Sequence, residues 1–164
     1  MLEVRIELLQ QMPIFGAIRA DALQLLLEPA RSVFMPAGEF FFRENDEADC
    51  MYVLETGRVA VLKRWGERDF LVRQLGRGDC FGEMALLDLF PRSASVRAEE
   101  DCTAIELAPF HLHRLFERDA QQFALIQMNL AREMSRRLRE TNELLFRATM
   151  GEAPATSENV FRLT

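Results

Sequence analysis

The sequence predicts a mainly β fold with flanking helices, an antiparallel β-roll or jelly roll followed by a long carboxy-terminal helix. Three observations carry that expectation. From Ser32 to Leu107 the chain is a series of short apolar or alternating runs, punctuated by glycine at Gly38, Gly57, Gly66, Gly76, Gly78 and Gly82, the pattern of a compact sheet with tight turns. Before and after that stretch the apolar spacing changes to three and four, which is helical. With 164 residues, 49% of them hydrophobic, the chain is long enough for one good core and short for two domains.

At the start, Leu2, Ile6 and Leu9 fit a short amphipathic helix that Pro13 stops, and a second helix is expected from about Ala20 to Glu28, before Pro29. The expected strands are Ser32 to Met35, Phe40 to Arg43, Met51 to Glu55, Arg58 to Arg64, Phe70 to Leu75, Ala94 to Ala98 and Thr103 to Leu107. Trp65-Gly66-Glu67-Arg68 reads as a hairpin tip between β-prone flanks, with Trp65 covering a strand end and not a ligand.

Past the sheet, Pro109 suits the first turn of a helix to about Phe116, and Asp119 can cap a long one from Ala120 to about Ala148. Phe123, Ile126 and Leu130 should lie against the body. Ala131, Met134, Leu138, Thr141, Leu145 and Ala148 follow the spacing of a coiled-coil seam. A helix of roughly 29 residues is about 43 Å long at 1.5 Å per residue, more than a small domain's diameter. A two-fold homodimer through this seam is therefore expected, the alternative being a stripe that folds back on its own sheet. The organisation expected is one domain over 1–148, with amino-terminal helices in 1–30, the β-roll in 31–108 and carboxy-terminal helices in 109–148. The remaining 149–164 is small and polar and reads as a flexible tail.

Composition removes several functions. No run of 18 or more apolar residues occurs and the amino terminus does not read as a secretion signal, so a cytoplasmic protein away from membranes is expected. Cys50, Cys80 and Cys102 lack any CxxC spacing and read as reduced thiols. A net charge of −6 argues against a general nucleic-acid surface, and Lys63, the only lysine, lies outside any GxxxxGK pattern. His111 and His113, two apart on an expected helix, would face different directions, which disfavours a metal site. Arg132, Arg136, Arg137 and Arg139, interleaved with Glu133, Glu140 and Glu143, read as a solvated, ion-paired helix face.

The chemistry concentrates between Gly76 and Ala98. Phe81-Gly82-Glu83 should turn out of a strand into a very short helix beginning near Met84, with Pro91-Arg92 re-entering a strand at Ser93. Amides at the helix start, about Ala85 to Leu86, would favour a negative group, and Arg92 with the Ser93 hydroxyl would close over it. An ionised Glu83 is an acceptor only, so it would select a hydroxyl donor while Arg92 compensates its charge. A cyclic nucleotide, with a singly charged phosphate and a free ribose 2′ hydroxyl, has both groups. The alternative is a structural Glu83–Arg92 ion pair with no ligand.

Phe81-Gly82-Glu83-Met84-Ala85-Leu86-Leu87 followed by Pro91-Arg92-Ser93-Ala94-Ser95-Val96 resembles the phosphate-binding cassette of the cyclic nucleotide-binding domain family, which includes catabolite activators and kinase regulatory subunits. The likeness extends upstream through Pro36-Ala37-Gly38-Glu39, Asn45-Asp46 and Met51 to Gly57, and covers about residues 10 to 148. Asn45 stands where the family usually has glycine, and asparagine tolerates the left-handed backbone well.

The resemblance implies a non-enzymatic sensor whose ligand-binding residues are Gly82, Glu83, Met84, Ala85, Arg92, Ser93 and Ala94. By likeness of Arg136 to Asn142 to the catabolite activator branch, Thr141 and Asn142 would contact the base across a dimer, cyclic AMP being favoured over cyclic GMP. The alternatives are a register role for Thr141 and a solvated Asn142, and Ser93 is compatible with guanine as well. About 16 residues follow the long helix, too few for a helix-turn-helix, so direct DNA binding by this chain is not expected. No cofactor or metal is implied. An effector protein is a further expected partner, and a ligand-free dimerisation module with the same fold is the alternative function.

Overall fold

A computed structural model describes residues 2–151; the part of the expected tail from residue 152 onward lies outside the described residues. Helix α1 (Leu2–Gln10), a 3-10 turn (Pro13–Phe15) and α2 (Ala20–Leu27) precede eight strands. These are β1 (Arg31–Met35), β2 (Phe40–Phe42), β3 (Met51–Thr56), β4 (Val59–Trp65), β5 (Arg68–Leu75), β6 (Cys80–Phe81), β7 (Ser95–Ala98) and β8 (Cys102–Leu107). Helix α3 (Met84–Asp88) is inserted between β6 and β7, and α4 (Pro109–Arg118) and α5 (Ala120–Thr149) close the chain.

The strands form two antiparallel four-stranded sheets, ordered β1-β8-β3-β6 and β2-β7-β4-β5. The first is buried on both faces at its central strand β3, where Met51 to Leu54 are apolar in consecutive positions. In β3, Tyr52 and Leu54 face the second sheet, whereas Met51 and Val53 face the helices. Leu9, Phe15, Leu23, Leu26, Leu115, Ile126 and Leu130 complete that helical side of the core. The β4–β5 register, Trp65 opposite Arg68, leaves Gly66-Glu67 as the two-residue turn. Trp65 does not cover a strand end as expected: it is 80% exposed, since the tip projects beyond the sheet.

Helix α5 is fixed by capping and by buried polar ties to the amino-terminal segment. Asp119 accepts a hydrogen bond from the Gln122 amide, Gln122 accepts from the Arg19 amide at 2.7 Å, and the Asn129 amide nitrogen donates to the carbonyls of Ile14 and Gly16. On α4, buried His111 accepts a hydrogen bond at Nδ1 from the Ala108 amide, a helix-start role. No helix among the described residues is long and apolar enough to cross a membrane.

Candidate functional site

The β6–α3–β7 segment, the inner face of β4 and β5, and α5 enclose a largely apolar cleft of about 520 Å³. Gly82, Glu83, Met84, Arg92, Ser93, Ala94 and Thr141, all expected ligand residues, line it together. Ala85 occupies the second position of α3. Asn142 is exposed, one residue beyond the Thr141 that reaches the cleft, as consecutive helix positions face different ways. Val61, Val72, Leu75, Met134 and Leu138 supply much of its apolar lining. Met134, Leu138 and Thr141 of the expected seam therefore look toward the cleft, and Leu145 stands exposed beyond it.

Arg92 is 4% exposed. Its Nη1 donates to the Gly82 carbonyl at 3.1 Å, its Nη2 lies 3.5 Å from the Cys50 thiol, and its Cζ sits 4.0 Å from the centre of the Phe42 ring. Asp49, almost fully exposed, is 3.9 Å away. The backbone around it is clamped: the Arg92 amide donates to the Asp46 carbonyl and the Asn45 amide to the Arg92 carbonyl, both at 2.9 Å. Asn45 takes the left-handed conformation, φ 71°. Lys63 donates to the Ser93 carbonyl at 2.7 Å and to the Glu44 carboxylate.

Glycine is required at position 82 twice over. Its φ is 77°, and a β carbon there would stand 2.6 Å from Arg92 Nη1. The chain turns out of β6 at this point, bringing Glu83 to the head of α3.

Glu83 is also 4% exposed, but its counter-ion is not Arg92 as expected. Arg137 of α5 bonds Glu83 Oε1 at 3.2 Å, Glu133 at 2.7 Å and the Cys80 carbonyl at 2.7 Å. Arg92 is turned instead toward Gly82 and Phe42. Arg137 is thus a partly buried element of the site and not part of a solvated face; its side chain is 14% exposed. The helical periodicity hid it, because a Glu133–Arg137 pair four residues apart reads as surface charge. Only the apolar Met134 and Leu138 beside it marked that side of α5 as inward.

The amide of Leu86, expected to point outward, donates to the Glu83 carbonyl at 3.1 Å, closing the first turn of α3. Burial pushes the Glu83 carboxyl above its ordinary range, against the pull of Arg137. Burial likewise pushes the Cys80 thiol up to about 12. All three cysteines are free and buried. Among the described residues, the buried side-chain nitrogen and oxygen atoms without a hydrogen-bond partner are Glu83 Oε2 and Arg92 Nε, and no group of three or more His, Cys, Asp or Glu is placed to hold a metal.

The family model described as cyclic nucleotide-binding domain matches residues 32–119, more than half of the chain. A cAMP-dependent protein kinase regulatory subunit of Emericella nidulans is 33% identical over 107 residues, 65% of this chain and 26% of that protein. A cyclic AMP receptor protein of Thermus thermophilus is 31% identical over 131 residues, 79% of this chain and 59% of that protein. The chain thus spans less than two thirds of the length of these relatives. The solved Thermus thermophilus catabolite activator protein superposes with a TM-score of 0.73 at 30% identity, covering 84% of this chain and 63% of that one.

Proposed function

This chain belongs to the cyclic nucleotide-binding domain family, and from that premise we propose that its cleft binds a cyclic nucleotide, with cyclic AMP preferred, as a regulatory module without catalysis. The single observation that carries the reading is that, among the described residues, the two buried side chains retaining unpartnered polar atoms, Glu83 and Arg92, line one apolar cleft. Buried polar groups are normally satisfied, and a bound ligand is one way to satisfy them. In this proposal the phosphate lies against Arg92, Ser93 and the amides of Met84 and Ala85. The ribose 2′ hydroxyl donates to Glu83, and the base lies on Val61, Val72 and Leu138 with Thr141 at its edge. The cleft volume falls in the range of small-molecule sites, about 300–1,000 Å³. The preference for adenine is supported by the names of the relatives, two of which are described by their response to cyclic AMP.

The proposed output is α5. Arg137 ties this helix to Glu83, so a ribose hydroxyl that takes up carboxylate acceptor capacity alters how the helix is held. Binding shifts the helix only to the extent that the ligand binds its two positions with different affinity. We assign α5 the role of dimer contact through Ala131, Leu145 and Ala148, with an effector protein as reader, and we take 1–148 as the functional unit. Calorimetric titration with cyclic AMP and cyclic GMP tests the proposal. One saturable site per chain of roughly micromolar affinity is expected, tighter for cyclic AMP; absence of heat for both nucleotides on folded protein overturns it.

A further inference from the structure

Strand β2 carries three consecutive phenylalanines, Phe40, Phe41 and Phe42, and its pairing with β7 is irregular. Phe40 lies opposite Arg97 and Phe42 opposite Val96, so two steps on β2 meet one step on β7. The extra residue is a β-bulge. In a regular strand neighbouring side chains point to opposite faces. Here Phe41 and Phe42 turn to the same aromatic cluster: Phe41 lies 5.1 Å from Tyr52 and 4.9 Å from Phe81, and Phe42 lies 6.2 Å and 6.1 Å from the same two rings. The bulge thereby aims the Phe42 ring at the guanidinium of Arg92, with Cζ 4.0 Å from the ring centre. Gly82 confines the same group, since a β carbon there would be 2.6 Å from Arg92 Nη1 and 3.2 Å from Phe42.

We propose that Phe42 is a positioning residue of the anion site, its bulge-directed ring holding the Arg92 guanidinium in the orientation that meets the ligand phosphate. The inference rests on the reading of Arg92 as the phosphate reader. Desolvated guanidinium is expensive to bury without a partner. The negative face of an aromatic ring offsets part of that cost without competing for the N–H groups directed at an anion. A carboxylate in the same place would neutralise the charge needed for binding. An aliphatic side chain would fill the volume but leave the plane of the guanidinium free to turn.

The test replaces Phe42 by ring-fluorinated phenylalanines, which keep its shape while depleting the negative face, and by leucine, and measures cyclic AMP affinity by calorimetry. Affinity should fall stepwise with fluorination, reaching about 3- to 30-fold for Phe42→Leu, the span between an exposed and a desolvated cation–π contact. In an Arg92→Gln background the same replacements should change affinity by less than about twofold, because the partner cation is gone. Affinity independent of fluorine content, or an equal loss in both backgrounds, overturns the proposal. The fluorinated series remains decisive if Phe42→Leu does not fold. If the unsubstituted protein binds no cyclic nucleotide, it is the proposed function that fails, an outcome distinct from binding that is indifferent to Phe42.

Discussion

The Arg137 guanidinium contacts the Glu83 carboxylate at 3.2 Å, joining the long helix to the head of α3 across 54 residues of sequence. Both side chains are largely buried and Glu133 completes the cluster, so this is an ionic network in which Arg137 serves two carboxylates and Arg136 also bonds Glu133. Arg137→Met takes the bonded cation from buried Glu83 and leaves Glu133 with Arg136. The expected loss of stability is about 3–5 kcal/mol, read from a denaturant midpoint, and adding Glu83→Gln should recover part of it by removing one uncompensated charge.

Arg92→Ala should weaken cyclic AMP binding by roughly 2–5 kcal/mol, measured by calorimetry. The fold should persist, because the side chain gives up one backbone hydrogen bond, to the Gly82 carbonyl, while the Arg92 backbone stays held by Asn45 and Asp46. Near-unchanged affinity would remove the phosphate role.

Gly82→Ala forces a β carbon into left-handed backbone and against Arg92. The conformational cost alone is about 1–2 kcal/mol. Displacing the guanidinium from one charge-assisted hydrogen bond, worth about 1.5–3 kcal/mol, should weaken nucleotide binding at least about tenfold. Thermal unfolding and titration separate the two effects.

Proton release on nucleotide binding should reveal the state of Glu83. Burial holds its carboxyl above the ordinary 4.5, so folding favours the protonated form. Its contribution to stability is fully present below that ordinary value and is lost as pH rises through the folded value. A ribose hydroxyl donating to the carboxylate favours the ionised form instead. Binding should therefore release protons in the weakly acidic window above 4.5, and affinity should rise with pH there. Titrations in buffers of different ionisation enthalpy measure the release, and Glu83→Gln should abolish it.

Just past α3, Leu89 adopts φ 60° and is 84% exposed. A leucine in this region costs about 1–2 kcal/mol and gains nothing from burial. Leu89→Gly should raise the melting temperature by about 2–4 °C per kcal/mol relieved.

Much of this architecture was legible because it depends on local chemistry. Gly66 marked a hairpin that forms, Asp119 caps the helix it was expected to cap, and Asn45 adopts the left-handed backbone its side chain tolerates. The first sheet's two-sided burial could be read from Met51-Tyr52-Val53-Leu54, although the two-residue β6 is too short to leave a periodic signal. The cassette assembled Gly82, Glu83, Met84, Arg92, Ser93 and Ala94 within one short stretch, so its composition betrayed it. What stayed hidden was tertiary. Neither the choice of Arg137 over Arg92 as partner of Glu83 nor the Phe42 platform follows from spacing. The first depends on how α5 crosses the sheet, and the second on a one-residue bulge in β2.

The most direct test of this account is a crystal structure of the chain grown with cyclic AMP. The account predicts nucleotide in the cleft, its phosphate oxygens hydrogen-bonded to the Arg92 guanidinium and its 2′ hydroxyl on Glu83. Nucleotide bound outside the cleft, or inside it with the phosphate remote from Arg92, would contradict it.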